Sequence, residues 1–324
     1  MRHYTQLTEG QRYQISALKD KGFSQTEIAA SIGVHKSTIS RELKRNTGKR
    51  GYRPKQAHRL AIQRAKERNH RRLKAYYWSI VEFFIKQDWS PKQISLRLAQ
   101  EGILQVSHEK IYQYIYADKH KGGLLYKHLR RKKKYRNRQN SYDKRGKIAN
   151  RVSIAERPAI VDLKQRGGDW ELDTVIGKNH QQALVTLVER KTKTTFIKKV
   201  EKRDAASVGN AIIELLKPYS RLGLVHTLTA DNGKEFADHQ RVAQQLEADF
   251  YFADPYASWQ RGLNENTNGL IRQYCPKGSS FDHIDEVFTE EIMFKLNNRP
   301  RETLGMQTPN EVMLQELQGV ALRD

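Results

Sequence analysis

The sequence predicts a multi-domain protein in which an all-α N-terminal region precedes an α/β region with a mixed sheet. Apolar residues recur at three- and four-residue spacing in two segments, residues 8–46 and 76–129, which is typical of amphipathic helices. After Trp170 they form short runs between polar turns, which indicates strands. A length of 324 residues allows two or three domains, each with its own core.

The charge divides in the same way. Residues 1–150 carry 36 Lys and Arg against 11 Asp and Glu, whereas residues 151–324 carry 23 against 25. A strongly basic half joined to a nearly neutral half suggests a chain that holds a polyanion, DNA or RNA, with its first half. The alternative is a basic half that binds an acidic protein or only increases solubility.

Cysteine usage and hydropathy argue against several other classes. The single cysteine, Cys275, excludes an internal disulfide, and no Cys-X-X-Cys pair is present, so a zinc site is not expected. The sequence contains no apolar run typical of a signal peptide or of a membrane span. We therefore expect a cytoplasmic protein that does not insert into membranes.

The first 46 residues predict a helix-turn-helix domain. A helix after Thr8 ends at Gly22, and Ser24 with Glu27 forms a capping-box pattern that starts a second helix at Gln25. Gly33 permits the turn before a third helix, which would lie in the major groove. The residues that this helix would direct to DNA are Lys36, Ser37, Thr38, Arg41, Lys44 and Arg45. The alternative is a structural three-helix bundle with a solvated charged face.

A second, more divergent helix-turn-helix unit is predicted over residues 76–129. Ser90 is a candidate cap followed by Pro91, Gly102 ends that helix, and Ser107 precedes another. Two segments rich in Lys and Arg, residues 47–75 and 130–160, are predicted to be basic linkers that also track DNA phosphates.

Residues 161–324 predict a catalytic core with additional C-terminal helices. The expected order is three strands, helix, strand, helix, strand, helix, which is the element order of an RNase H-like mixed sheet. Asp173 falls within the first strand and Asp231 at the end of the fourth. Glu265 projects from the helix that follows the last strand.

These three acids are candidate catalytic residues and metal ligands. A carboxylate buried within a strand needs a partner, and a metal ion is one. Two Mg²⁺ or Mn²⁺ ions, held by carboxylate oxygens, suit phosphoryl transfer. Each acid also has a structural interpretation, since Asp231 precedes an Asn-Gly turn and Glu265 would favour the first turn of a helix. Asn232 and Asn264 are candidates to orient ligands, or are ordinary turn and cap residues.

A resemblance makes this interpretation more specific. The blocks ELDTVIG, LTADNGKEF and PYASWQRGLNENTNGLIRQYCPKG resemble the signature blocks of DDE transposases with a retroviral-integrase-type core, most closely the insertion-sequence family numbered thirty. In that family 33 residues separate the second and third acids, as they do between Asp231 and Glu265. Arg272, seven residues after Glu265, matches a basic residue that would contact terminal DNA phosphates.

The resemblance covers nearly the whole chain and implies a function. It implies a bacterial, nucleoid-associated transposase that binds the terminal inverted repeats of an insertion sequence, frees 3′-OH ends and joins them to target DNA. Double-stranded DNA is then the partner, and at least a dimer is expected because two ends must be brought together.

Two other functions remain open from the residues. A metal-dependent nuclease would share all three acids, although it would not need the helix-turn-helix units. A helix-turn-helix regulator with a non-catalytic RNase H-like module would not need the acids.

Overall fold

The computed structural model describes residues 6–69, 73–130, 148–178, 181–255 and 257–321. Contacts divide the chain into two compact units, Met1–Trp78 and Ser79–Asp324. Most of the predicted basic linker over residues 130–160, including its densest run from Arg131 to Arg138, lies outside the described residues. Within the described part, no helix has the length and apolar character needed to cross a lipid bilayer.

The first unit contains the predicted helix-turn-helix. Its elements are α1 (Glu9–Asp20), α2 (Gln25–Ser31), α3 (Lys36–Asn46), β1 (Thr47–Gly48), β2 (Gly51–Tyr52) and α4 (Pro54–Asn69). Ser24 accepts from the Glu27 amide and Glu27 accepts in return from the Ser24 amide, which confirms the predicted capping box. Gly33 adopts a φ of 71°, as the turn before α3 requires.

Residues 47–69 differ from the linker that the sequence suggested. The structure places there the β1–β2 hairpin and a 16-residue helix, α4, which packs against α1. Tyr52 and Ala57 are buried with Ile15, Ile28 and Ile39 in one core. Two apolar anchors set among many cations are enough to fold the segment, but too few to produce a recognisable periodic pattern.

The second unit begins with helices of the predicted second helix-turn-helix. These are α5 (Ala75–Lys86), whose first residues belong to the first unit, α6 (Pro91–Gln100) and α7 (His108–His120). Ser90 caps α6 in a capping box with Pro91 at the first position, as predicted. In α6, Gln93 Nε2 donates to the Pro300 carbonyl at 2.7 Å and Arg97 Nη1 to the Met306 carbonyl at 2.9 Å. The helix α6 is therefore hydrogen-bonded to the C-terminal part of the chain.

A five-stranded mixed sheet forms the centre of the second unit. Its strands are β3 (Asp169–Ile176), β4 (Ala183–Glu189), β5 (Thr195–Val200), β6 (Thr227–Ala230) and β7 (Asp249–Phe252). They are arranged in the order β5-β4-β3-β6-β7, with β3, β4 and β5 antiparallel and with β6 parallel to both β3 and β7. This is the RNase H-like arrangement that the element order predicted.

Helices cover the sheet through two separate apolar clusters. The helices around it are α8 (Ile160–Leu163), α9 (Ala205–Ser220), α10 (His239–Leu246), α11 (Gly262–Ile271), α12 (Glu286–Asn297) and α13 (Pro309–Ala321). One cluster joins Trp170 and Leu172 of β3 to α9 and α10, and the other joins Val175 to α11 and α12. The second cluster fixes α11 beside β3 and β4.

Candidate active site

The sheet brings two of the three predicted acids side by side. In the parallel pairing of β3 with β6, Glu171 lies opposite Thr229. Two residues further along each strand are Asp173 and Asp231, where the carboxyl end of β6 stops and the chain turns. Because residues two apart point to the same face of a strand, both carboxylates lie on one face at adjacent positions.

Asp173 is the more enclosed of the two acids. Its side chain is 23% exposed, against 33% for Asp231. It accepts from the Thr174 amide at 2.8 Å and from Asn268 Nδ2 at 2.8 Å. Burial raises the pKa of the Asp173 carboxyl to about 6, and the negative charge of Asp231 contributes to the rise while Arg261 opposes it.

Arg261 lies against both carboxylates. Its Nη1 is 3.6 Å from Asp173 Oδ2, and its Nη2 is 3.4 Å from Asp231 Oδ2. Nη1 also donates to the Leu172 carbonyl at 2.9 Å, which holds the guanidinium beside the middle of β3. The two acids thus share one cation in a half-buried position. This positive charge offsets the repulsion between the two negative charges.

Glu265 lies in the first turn of α11 and is exposed. Asn268, three residues later, reaches Asp173, and Arg272, seven later, donates to the Ile176 carbonyl at 2.9 Å. Residues at these spacings share one side of a helix, so Glu265 is carried on the side that faces β3. Among the described residues no group of three or more His, Cys, Asp or Glu side chains is placed to hold a metal ion. The role of Glu265 stays a prediction.

Glu171, two residues before Asp173, has a different environment. It is buried, pairs with Arg190 Nη1 at 2.7 Å, and accepts a hydrogen bond from the backbone N–H of Asn264 at 3.0 Å. Its charge is therefore neutralised within the protein, and it ties the start of α11 to β3. The two acids of the Glu-Leu-Asp block therefore have different partners. Glu171 is neutralised by buried Arg190, whereas Asp173 shares Arg261 with Asp231.

The two flanking asparagines also differ. Asn232 Nδ2 donates to the Ala253 carbonyl at 2.7 Å, which fastens the turn after β6 to the end of β7. This contact fits the turn-residue interpretation. Asn264 is fully buried, and both polar atoms of its side chain lack a hydrogen-bond partner within the part of the chain that the structure describes. A buried side-chain amide without hydrogen-bond partners lowers the stability of the folded protein, unless another group bonds to it during function.

Three residues of this site were not identified from the sequence. Arg261 and Asn268 contact Asp173 directly, and Glu235 accepts from the Thr174 hydroxyl at 3.0 Å. Arg261 and Asn268 lie four residues before and three residues after Glu265, so their helical spacing around the predicted acid was the available signal. Glu235 stands four residues after Asp231 and had no comparable signal, since it approaches β3 only through the fold.

The residues predicted to contact DNA lie on α3, apart from Arg272. Lys36, Arg41, Lys44 and Arg45 are exposed, and Ser37 and Thr38 are partly exposed near the start of the helix. His35 Nδ1 accepts from the Ser37 amide at 3.2 Å and so caps α3. Arg272 is half-buried, and burial lowers the pKa of its guanidinium. Its Nη1 and Nη2 donate to backbone carbonyls of Cys275 and Ile176.

Comparison with known proteins agrees with both halves of this description. Residues 3–46 match a family described as a helix-turn-helix domain. The transposase for insertion sequence element IS4351 of Bacteroides fragilis is 47% identical over 94% of this chain and 94% of its own length. The transposase InsI for element IS30A of Escherichia coli K12 is 36% identical over 98% of this chain and 85% of its own length. The chain belongs to the IS30 family of insertion-sequence transposases.

Further relatives extend the comparison. The transposase for element IS1086 of Cupriavidus metallidurans is 36% identical over 97% of this chain and 96% of its own length. Among solved structures, the catalytic core domain of BIV integrase is 20% identical, with a TM-score of 0.36, and covers 46% of this chain and 95% of the integrase chain. Membership of the IS30 family makes the chain a DDE transposase, an enzyme of the polynucleotidyl transferase class, and this class acts on DNA with divalent metal ions.

Proposed function

We propose that this transposase binds the terminal inverted repeats of its insertion sequence, cuts the ends to free 3′-OH groups, and transfers them to target DNA. The observation that carries the proposal is the position of Asp173 within β3 beside Asp231 at the end of β6, both within 3.6 Å of one guanidinium. A site that already holds a cation between two carboxylates has the charge and the oxygen donors that phosphoryl transfer requires.

The donor set fits Mg²⁺ or Mn²⁺. Both ions prefer carboxylate oxygens to sulfur or imidazole, and the site offers the oxygens of Asp173 and Asp231, both partly exposed. We propose that Asp173 and Asp231 hold the metal together with Glu265, two ions per site. When bound, two such ions activate an attacking oxygen and stabilise a leaving oxygen.

The surrounding residues position these ligands. Asn268 donates to one oxygen of Asp173 and the Thr174 amide to the other, so the carboxylate cannot rotate freely. Arg272 lies near the end of β3. We propose that the N–H groups it does not use on the Cys275 and Ile176 carbonyls contact terminal DNA phosphates. Lys36, Ser37, Thr38, Arg41, Lys44 and Arg45 of α3 are proposed to contact the repeat in the major groove.

The proposal extends to assembly and location. Both ends of the element must be held together, so we propose that at least two copies of the protein act on the DNA. The place of action is then the bacterial nucleoid, where the element resides.

The test uses the full-length protein with a labelled duplex that carries the inverted repeat flanking its gene, in Mg²⁺ or Mn²⁺. Asp173→Asn, Asp231→Asn and Glu265→Gln should each lose cleavage and strand joining while they still bind the duplex. Glu290→Gln, an exposed acid on α12, is the matched control and should remain active. Full activity of Glu265→Gln would remove that residue from the proposed site, and cutting of any duplex without joining would indicate a nuclease.

A further inference from the structure

A basic hairpin follows α3 directly. β1 pairs antiparallel with β2, with Thr47 opposite Tyr52 and Gly48 opposite Gly51. Lys49 and Arg50 form the tip between the strands, and both are exposed. Gly51 has a φ of 90°, which L side chains rarely adopt and which lets the chain reverse within two residues.

The base of this hairpin is fixed to α3. Glu42 of α3 is buried, pairs with Arg12 Nε at 2.8 Å, and accepts from the Tyr52 hydroxyl at 3.2 Å. Arg64 of α4 donates to the Arg45 carbonyl at 3.1 Å and to the Asn46 side chain. The hairpin and α4 are therefore held in a fixed position beside α3, so little ordering is needed on binding.

The hairpin and α4 line an open cavity of about 910 Å³. Five exposed cations contribute to its lining: Lys49, Arg50, Arg53, Lys55 and Arg59. The cavity contains one carboxylate, Glu9, which lies 3.7 Å from His58 Nε2. None of the five cations forms an ion pair with any residue in the described ranges. Such a concentration of unpaired positive charge in a concave surface attracts a polyanion.

We propose that the hairpin tip and the exposed cations of α4 form a second DNA-contacting surface, which binds the phosphate backbone beside the groove entered by α3. This surface lies outside residues 3–46, the part of the chain that matches the helix-turn-helix family. The inference rests on the proposed function in one respect, namely that α3 reads the inverted repeat. Since Lys and Arg contact phosphates without regard to sequence, the second surface strengthens binding to every duplex equally.

The test measures binding of the full-length protein to the labelled inverted-repeat duplex and to a scrambled duplex of equal length, without divalent metal, over a range of salt concentrations. Two variants remove two cations each: Lys49→Gln/Arg50→Gln at the tip, and Arg53→Gln/Arg59→Gln, of which Arg53 immediately precedes α4 and Arg59 lies on it. The control, Lys19→Gln/Lys21→Gln, removes the same amount of charge at the C-terminal end of α1, whereas Glu9 lies at the N-terminal end. A helix of 12 residues places these positions roughly 15 Å from the cavity end of α1.

A plot of log K against log salt has a negative slope, and each lost phosphate contact makes it shallower by about 0.9. Either variant should therefore make the slope shallower by up to about 1.8, with parallel losses of affinity on both duplexes, and the control should not. All variants should melt as the wild type does, because the replaced side chains are exposed. Arg41→Gln, in α3, should instead weaken binding to the repeat more than to the scrambled duplex.

Three results would overturn the inference. These are slopes equal to that of the wild type, equal losses in the control, and a loss confined to the repeat, which would mean that the hairpin reads bases. Failure of the proposed function has a different signature. In that case the wild-type protein would not prefer the repeat to the scrambled duplex.

Discussion

The strongest test of the site described above is the replacement of Arg261 by glutamine in metal-free protein. The guanidinium lies 3.6 Å from Asp173 and 3.4 Å from Asp231, and its own side chain is 11% exposed. Removing one partner of a buried ion pair costs about 3–5 kcal/mol, and of an exposed pair about 0.2–1 kcal/mol. Because both carboxylates are a quarter to a third exposed, we expect a loss of about 1–3 kcal/mol at pH 7.

The pH dependence of this loss follows from Asp173. The pKa of its carboxyl is about 6 in the folded chain and 3.8 for the unperturbed group. The folded state therefore binds more protons between these values, and stability falls as pH rises from about 4 to 6. Arg261 lowers this pKa, so the variant should lose stability over a wider pH range. Its difference from the wild type should be small near pH 4 and largest above pH 6.

Thermal melting in EDTA from pH 4 to 8 measures this difference, at roughly 2–4 °C for each kcal/mol. Arg241→Gln is the control, because Arg241 pairs with Asp238 at 2.6 Å in a partly exposed position of the same unit. At pH 8 it should lose less stability than Arg261→Gln, because the pair is partly exposed. A melting curve of Arg261→Gln that matches the wild type at pH 8 would show that the guanidinium does not neutralise the two acids.

A second melt, without EDTA and with added Mn²⁺, tests whether Arg261 and the metal compete for the same carboxylates. If they compete, Mn²⁺ should stabilise the variant more than it stabilises the wild type.

The remaining predictions separate stability from chemistry. Glu171→Gln should lower stability by about 3–5 kcal/mol in a thermal melt, because it leaves buried Arg190 without its closest partner, whereas Asp173→Asn should not. Asn268→Ala should reduce strand cleavage by about 10- to 100-fold with unchanged affinity for the repeat, since it frees one oxygen of Asp173. Equal losses of binding and cleavage would contradict this. Ser24→Ala should lower the free energy of unfolding by about 1 kcal/mol in a thermal melt, because α2 loses its N-cap, and an unchanged melt would contradict this.

Sequence reasoning succeeded where the determining interactions are local. The starts of α2 and α6 were predicted because Ser24 and Ser90 bond to residues three positions away. The strand β4 was predicted for a similar reason, since a short and mostly apolar run such as Ala183–Glu189 is typical of a buried strand whatever its neighbours are. Asp173 in the first strand of the sheet and Asp231 at the end of the fourth were identified as candidate acids from their positions, and the family resemblance gave them a specific role.

The contacts that the sequence did not predict are distant along the chain. Arg261 reaches Asp173 and Asp231 only because β3 and β6 pair in parallel, a register that no local pattern encodes. The hairpin after α3 was interpreted as linker because its fold depends on Tyr52 reaching Glu42 and on Ala57 entering a core built by other helices. In both places a long-range partner supplies the stabilisation that local propensity lacks.

The three acids of the proposed site are held by elements of different rigidity. Asp173 and Asp231 lie on neighbouring strands, so backbone hydrogen bonds of the sheet set their separation. Glu265 lies in the first turn of α11, and the Glu265 side chain is exposed. The backbone N–H of Asn264 donates to Glu171 and so fastens this turn to β3. The first two positions are therefore determined by the sheet, whereas the third depends on the start of one helix. Since Arg261 immediately precedes that helix and contacts both strand acids, the same few residues control the charge between Asp173 and Asp231 and the placement of Glu265.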